Sequence, residues 1–191
     1  REDGTDTLIA ENLLLNFADE EIAGKTTHGE GIFKQFDMPT GNYKGIRFGL
    51  GVPEDQNQGD PTQYDREYPL SVFAGTHWNW TTGYKFIQID GFIDTTGTDT
   101  GPLDQGMAYH TGLNELYREL SYLDREDAFE INKDAELQFQ FELDLNRFFY
   151  NQTDTIDMVD RNFSHTTPVN SEAFQLSEQI TDNVINNAIF K

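Results

Sequence analysis

Residues 137–145 read LQFQFELDL, with Leu137, Phe139, Phe141, Leu143 and Leu145 on one side of a two-residue period and Gln138, Gln140, Glu142 and Asp144 on the other. This alternation predicts a strand with one face on a core and one in water. The same period puts Ile46, Phe48 and Leu50 on one face of a strand over 43–52. Further strands are expected at 9–17, 32–36 and 84–93, and 107–111 reads as extended. Residues 116–123 fit an extended segment or a helix, and 146–150 a short helical turn. Near the end, Ala173, Leu176, Ile180 and Val184 are three or four residues apart and form the apolar stripe of a helix. Between these elements lie an acidic, then Gly- and Thr-rich loop at 18–31 and a turn at 39–42, where Pro39 fixes φ and Gly41 accepts a positive φ. A long polar loop with three prolines covers 53–71, and a Gly/Thr/Asp loop covers 95–106. No repeat, heptad run or interdomain linker interrupts the pattern. Many strands between turn-rich loops predict a mainly β fold: an antiparallel β-sandwich with one C-terminal helix, as a single domain over 1–191.

Charge narrows the choice of partners. The chain has 13 basic and 34 acidic residues, a formal charge of -21. Such a surface repels phosphate backbones and anionic membranes, so nucleic acid is not an expected partner. Solubility accounts for the acidity, with the gathering of cations as the alternative. The aromatic content of 13% fits a chain that builds a core rather than a disordered one. No apolar run approaches the ~20 residues of a membrane helix. The absence of cysteine excludes disulfides, thiolate metal sites and cysteine nucleophiles.

Candidate chemistry concentrates in two segments. Residues 76–91 read THWNWTTGYKFIQIDG, and 107–112 read MAYHTG. The first packs His77, Trp78 and Trp80 into a turn before an alternating strand, and the second places His110 on an extended segment. Imidazole suits copper, zinc and nickel, and copper(II) heads the divalent affinity order. His110 and His165 are far apart in sequence, but strands can bring them together. A lone histidine is more often structural, and His28, in a polar loop, reads as solvated. Large aromatics at a strand entry commonly cap a core, the structural alternative for Trp78 and Trp80. Residues 55–60, DQNQGD, approach the start of a calcium loop, but the last two positions are reversed and no glutamate stands twelfth. Asp94, Asp99 and Asp104 read as turn-forming residues. No G-x-S-x-G elbow, phosphate loop or H-E-x-x-H motif is present, and no enzymatic activity is expected.

Taken in order, the motifs resemble one family. Trp78, Trp80, Gly83, Tyr84, Phe86 and Gly91 form W-x-W-x-x-G-Y-x-F-x-x-x-x-G, followed by Tyr109, His110 and Gly112 as Y-H-x-G. With DMPTGNYKGIRFGLGV at 37–52, Ser164-His165-Thr166, Asp182-Asn183 and Phe190, this set is similar to the MbnP-like family of secreted β-proteins associated with copper handling and methanobactin operons. The resemblance implies a copper site with His110 and His165 as ligands and His77 as a further candidate, although the family often carries another residue at that position. Some members use an oxidised tryptophan, kynurenine, beside the copper; here Trp78 is favoured over Trp80 because it neighbours His77. The resemblance also implies a periplasmic, extracellular or cell-surface location in a Gram-negative bacterium. Because the family has a strand pair before such an Asp-Gly turn, a strand or two of the sandwich is expected upstream of Arg1, with a cleaved N-terminal fragment or a protein partner covering the sheet edge. The alternative function is an extracellular recognition or assembly module that docks to a larger surface complex without metal.

Overall fold

The computed structural model describes residues 1–17, 32, 34–98, 100–122 and 128–190. In chain order the strands are β1 (Gly41–Tyr43), β2 (Ile46–Leu50), β3 (His77–Asn79), β4 (Gly83–Ile93), β5 (Gln105–Gly112), β6 (Arg118–Tyr122), β7 (Phe129–Ile131), β8 (Glu142–Leu143), β9 (Phe163–Ser164) and β10 (Ile189–Phe190). Two α-helices, α1 (Glu54–Asn57) and α2 (Glu172–Asn183), join them. The chain is mainly β with one C-terminal helix, as the pattern predicts. Among the described residues β1–β7, β8–β10, β3–β4 and β4–β5 pair antiparallel and β5–β9 pairs parallel.

The chain divides into two compact units, the first formed by residues 1–46 and 123–137. In this unit β1 pairs with β7, and the buried Tyr43 stacks on Phe129 with ring centroids 6.1 Å apart. The Glu2 amide donates to the Asn42 carbonyl at 3.0 Å. The strand expected at 9–17 does not form: Leu13, Leu14, Leu15 and Phe17 are exposed in irregular backbone. Three consecutive leucines do not alternate, so an extended chain could not turn them all to one face. The described part of 32–36 is also irregular, and the loop at 18–31 lies outside the described residues.

The second unit, residues 47–122 and 138–191, is built on a sheet in the order β3-β4-β5-β9. β4 and β5 pair over most of their lengths, with Gln88 opposite His110 and Asp90 opposite Ala108. An irregularity between Lys85 and Ile87 shifts the phase of β4. Before it Tyr84 and Phe86 turn to the core; after it Ile87 and Ile89 do, leaving Gln88 and Asp90 outside. The main core gathers Ile87, Tyr109, Phe148, Ile156, Leu176, Ile180, Val184 and Ala188. The helical stripe thus packs as its spacing predicts. Ser171 caps α2 by accepting the Phe174 amide at 3.1 Å, and Glu172 sits in the first turn, where a negative charge suits the helix dipole.

Three further expectations need correction. The strand over 43–52 breaks into β1 and β2, which pair with different partners, β7 and β6. The polar loop at 53–71 is compact: it forms α1 and a short 3-10 turn, and Leu70 joins Val52 and Tyr84 in a second core cluster. Its anchor is Asn57, fully buried, which accepts the Tyr84 amide at 2.9 Å and donates to Asn114 Oδ1 at 2.8 Å. Gly83 must be glycine here, because its φ is 79° and a Cβ would overlap the Asn57 oxygens. Finally, of 137–145 only β8 is a strand, paired with β10, and Leu137 and Phe141 are exposed. Alternation selects a side for each residue but supplies no hydrogen-bond partner for the backbone.

Candidate metal centre

The phase shift in β4 and the alternation of β5 place three polar side chains on the outer face of the sheet. Tyr109 turns inward, fully buried, and donates its hydroxyl to the Arg161 carbonyl at 2.9 Å. The next residue, His110, turns outward. Its Nε2 lies 2.8 Å from Asp90 Oδ1, and Gln88 Nε2 donates to Asp90 Oδ2 at 2.7 Å. Partial burial opposes ionisation of Asp90, but the hydrogen bonds from Gln88 and His110 outweigh it and hold the carboxyl below its ordinary value of 3.8.

His165 follows β9, which runs parallel to β5 with Ser164 opposite Tyr109. Thr167 donates its amide to His165 Nδ1 at 3.1 Å, and its hydroxyl lies 3.2 Å from the same nitrogen. The backbones of both histidines are pinned from beneath. Ser164 Oγ accepts the His110 amide at 3.0 Å, and the Ser177 hydroxyl on α2 donates to the His110 carbonyl at 3.2 Å. The His165 amide donates to the Ala173 carbonyl, also on α2, at 3.3 Å. Trp78 of β3 contacts both imidazoles, its ring centroid 5.6 Å from that of His110 and 4.6 Å from that of His165. One indole and two imidazoles, from three places in the sequence, thus form a single cluster.

His77 is not brought to this cluster. Neighbours on a strand point to opposite faces, so when Trp78 reaches His110 and His165, His77 turns away. Its ring lies against Tyr84 at 5.2 Å and Trp80 at 5.4 Å. Trp80 follows it and is 63% exposed. His28 lies outside the described residues. In the calcium-like stretch Asn57 is occupied as described, and Asp60 accepts the Thr62 amide at 2.9 Å as a cap. Asp94 likewise accepts the amides of Thr96 and Gly101, closing a turn.

Burial depresses the pKa of His77 below 6.5, and attraction to Asp60 only partly offsets this. Below about pH 6.5 the unfolded chain therefore binds a proton that the folded chain resists, so the stability associated with His77 is present above that pH and is lost as pH falls. Urea unfolding from about pH 7 to about pH 5 is expected to show a shallower loss of stability in His77→Gln than in the parent. Parallel curves would remove His77 as the source.

The cluster's donors suit a metal of the imidazole-binding group. Asp90 occupies Nε2 of His110, the arrangement in which a histidine offers its other nitrogen to a metal while a carboxylate holds the ring. Among the described residues no group of three His, Asp or Glu side chains is placed to hold an ion. The two imidazoles that the resemblance implies as ligands fall short of the four that close a structural zinc site.

The signature model of one family, MbnP, matches residues 1–171. The chain belongs to the MbnP family. The match contains Trp78, His110, His165 and Thr167 and ends one residue before α2, so the MbnP-like features at Asp182-Asn183 and Phe190 lie beyond it. No curated protein and no solved structure matches the chain. No helix among the described residues of this MbnP member is long and apolar enough to cross a membrane.

Asp90 is the site residue that pattern reading missed. Its signal was present: Tyr84 and Phe86 share one phase, Ile87 and Ile89 the other, and the slip turns Gln88 and Asp90 outward.

Proposed function

We propose that the protein holds a copper ion, without catalysing a reaction, through His110 and His165 beside Trp78, in the periplasm or at the surface of a Gram-negative bacterium. The observation that carries this reading is the contact of two imidazoles with one indole, each histidine fixed by its own backbone bonds. Imidazole nitrogens are good copper ligands. Membership of the MbnP family supports copper over nickel or zinc. The ion's chemistry would be retention by nitrogen donors, and the protein's part is to hold the two rings and shield them with Trp78. That position also makes Trp78, rather than Trp80, the tryptophan open to oxidation beside a bound ion. Elemental analysis of protein loaded with copper(I) and then desalted is expected to find about one copper per chain. A protein that retains no copper overturns the reading.

A second reading draws on the first unit. Leu13, Leu14, Leu15 and Phe17 are all at least 39% exposed within five residues. Clustered exposed apolar side chains favour docking to another protein. Co-purification of a partner from native cells, lost when these residues become serine, would support a recognition or assembly role. A strictly monomeric native protein would count against it.

A further inference from the structure

A copper ion held by His110 and His165 could meet either nitrogen of each ring. Each imidazole has two, and the neutral ring carries its proton on one of them. In His110 the choice is made by surroundings that belong to the outer face of β4. Asp90 Oδ1 lies 2.8 Å from Nε2, and an ionised carboxylate can only accept a hydrogen bond, so the proton resides on Nε2. Nδ1 makes no hydrogen bond to any described residue. Asp90 is in turn held by Gln88 Nε2 on its other oxygen, at 2.7 Å. The spacing is that of the strand itself: Gln88 is directly opposite His110 in the β4–β5 register, and Asp90 is two residues along on the same face.

We propose that Asp90 is a positioning residue for the copper site: it keeps the His110 proton on Nε2 and so presents Nδ1 to the ion, with Gln88 holding Asp90 in place. The proposal rests on the copper reading for its second half only; the placement of the proton is a property of the metal-free protein. His165 provides the internal contrast. There the amide of Thr167 donates to Nδ1, so the lone pair on Nδ1 is occupied and no carboxylate sets the ring. In the metal-free protein both rings therefore carry the proton on Nε2, but for opposite reasons: His110 because Nε2 has an acceptor, His165 because Nδ1 has a donor. His110 is the prearranged ligand. His165 must give up its Thr167 bond to coordinate through either nitrogen. If Nε2 coordinates, its proton passes to Nδ1, which can then donate a hydrogen bond to the Thr167 hydroxyl at 3.2 Å.

The test uses the whole chain, labelled with nitrogen-15. Ring nitrogen spectra of the metal-free protein are expected to show His110 as a single Nε2–H tautomer. In Asp90→Ala the His110 signals should move toward the average of both tautomers, while those of His165 stay in place. Gln88→Ala should move them in the same direction by less. Competition for copper(I) against a chromogenic chelator should show a roughly 10–100-fold weaker affinity in Asp90→Ala, the usual effect of losing the outer partner of a histidine ligand. Asp90→Glu, which keeps a carboxylate, should recover part of both effects. Asp90 is half exposed, with 48% of its side-chain surface accessible, so its removal should leave thermal unfolding close to that of the parent. A His110 proton on Nδ1 in the parent, or a tautomer unchanged by Asp90→Ala, overturns the proposal. A correct tautomer response with unaltered copper affinity overturns the presentation of Nδ1 to the ion. If the parent binds no copper, the copper reading and the presentation of Nδ1 to it both fail, and the spectra still decide whether Asp90 sets the ring.

Discussion

Replacing His110 with alanine is expected to weaken copper(I) binding by more than about a hundredfold while leaving the fold nearly unchanged. The first half follows from ligand count: loss of an outer partner alone costs 10–100-fold, and removing one of two candidate donors takes away more. The second half follows from how residue 110 is held. Its amide bonds Ser164, and its carbonyl receives the Ser164 and Ser177 hydroxyls, all through main-chain atoms that alanine retains. Among the described residues the only side-chain hydrogen bond lost is the one to the half-exposed Asp90, which water can replace. Thermal unfolding should therefore shift by only a few degrees, since about 1 kcal/mol moves the midpoint of a chain this size by ~2–4 °C. Competition titration and thermal unfolding on the same sample check both halves. A variant that keeps parental affinity removes His110 from the site. One that loses affinity only because it unfolds shows that the residue is structural.

Ile180→Ala is expected to produce the largest loss of stability, about 2–5 kcal/mol. Ile180 is fully buried at the centre of the cluster formed by Tyr109, Leu176, Val184 and Ala188. Truncation there loses burial and leaves a cavity that close-packed neighbours fill only in part. Against a typical total of about 5–15 kcal/mol, that is a large share. The site should feel the change through α2. The same helix carries Ser177, bonded to the His110 carbonyl, and Ala173, whose carbonyl receives the His165 amide. Loosening α2 therefore frees both histidines at once. Urea unfolding followed by tryptophan emission should show a lower midpoint with a similar slope, and copper affinity should fall with it. An unfolding free energy within about 0.5 kcal/mol of the parent would show that the core is not organised around Ile180.

These two substitutions separate what local sequence could convey from what it could not. Burial period is local. The strands expected over 84–93 and 107–111 became β4 and β5, and of the predicted stripe Leu176 and Ile180 became buried residues of α2, with Val184 buried just past its end. The motifs around Trp78, His110 and His165 were legible for the same reason, because residue type and spacing lie in order along the chain. The absence of cysteine likewise excluded disulfides and thiolate sites from the chemistry.

Tertiary structure decided everything that depends on a partner. Residues 137–145 alternate most regularly, yet only Glu142 and Leu143 form a strand, because a strand exists only where another backbone meets its amides and carbonyls. The irregular loop at 53–71 proved compact, because Asn57 found the Tyr84 amide 27 residues away. His77 and Trp78 are adjacent in sequence, but the pleat of β3 sends them to opposite faces and brings Trp78, not His77, to the two distant histidines. Asp90 reaches His110 because the β4–β5 pairing brings residues 20 apart to hydrogen-bonding distance. Periodicity tells each side chain which way to face; only the pairing of strands and the docking of α2 determine what it meets there.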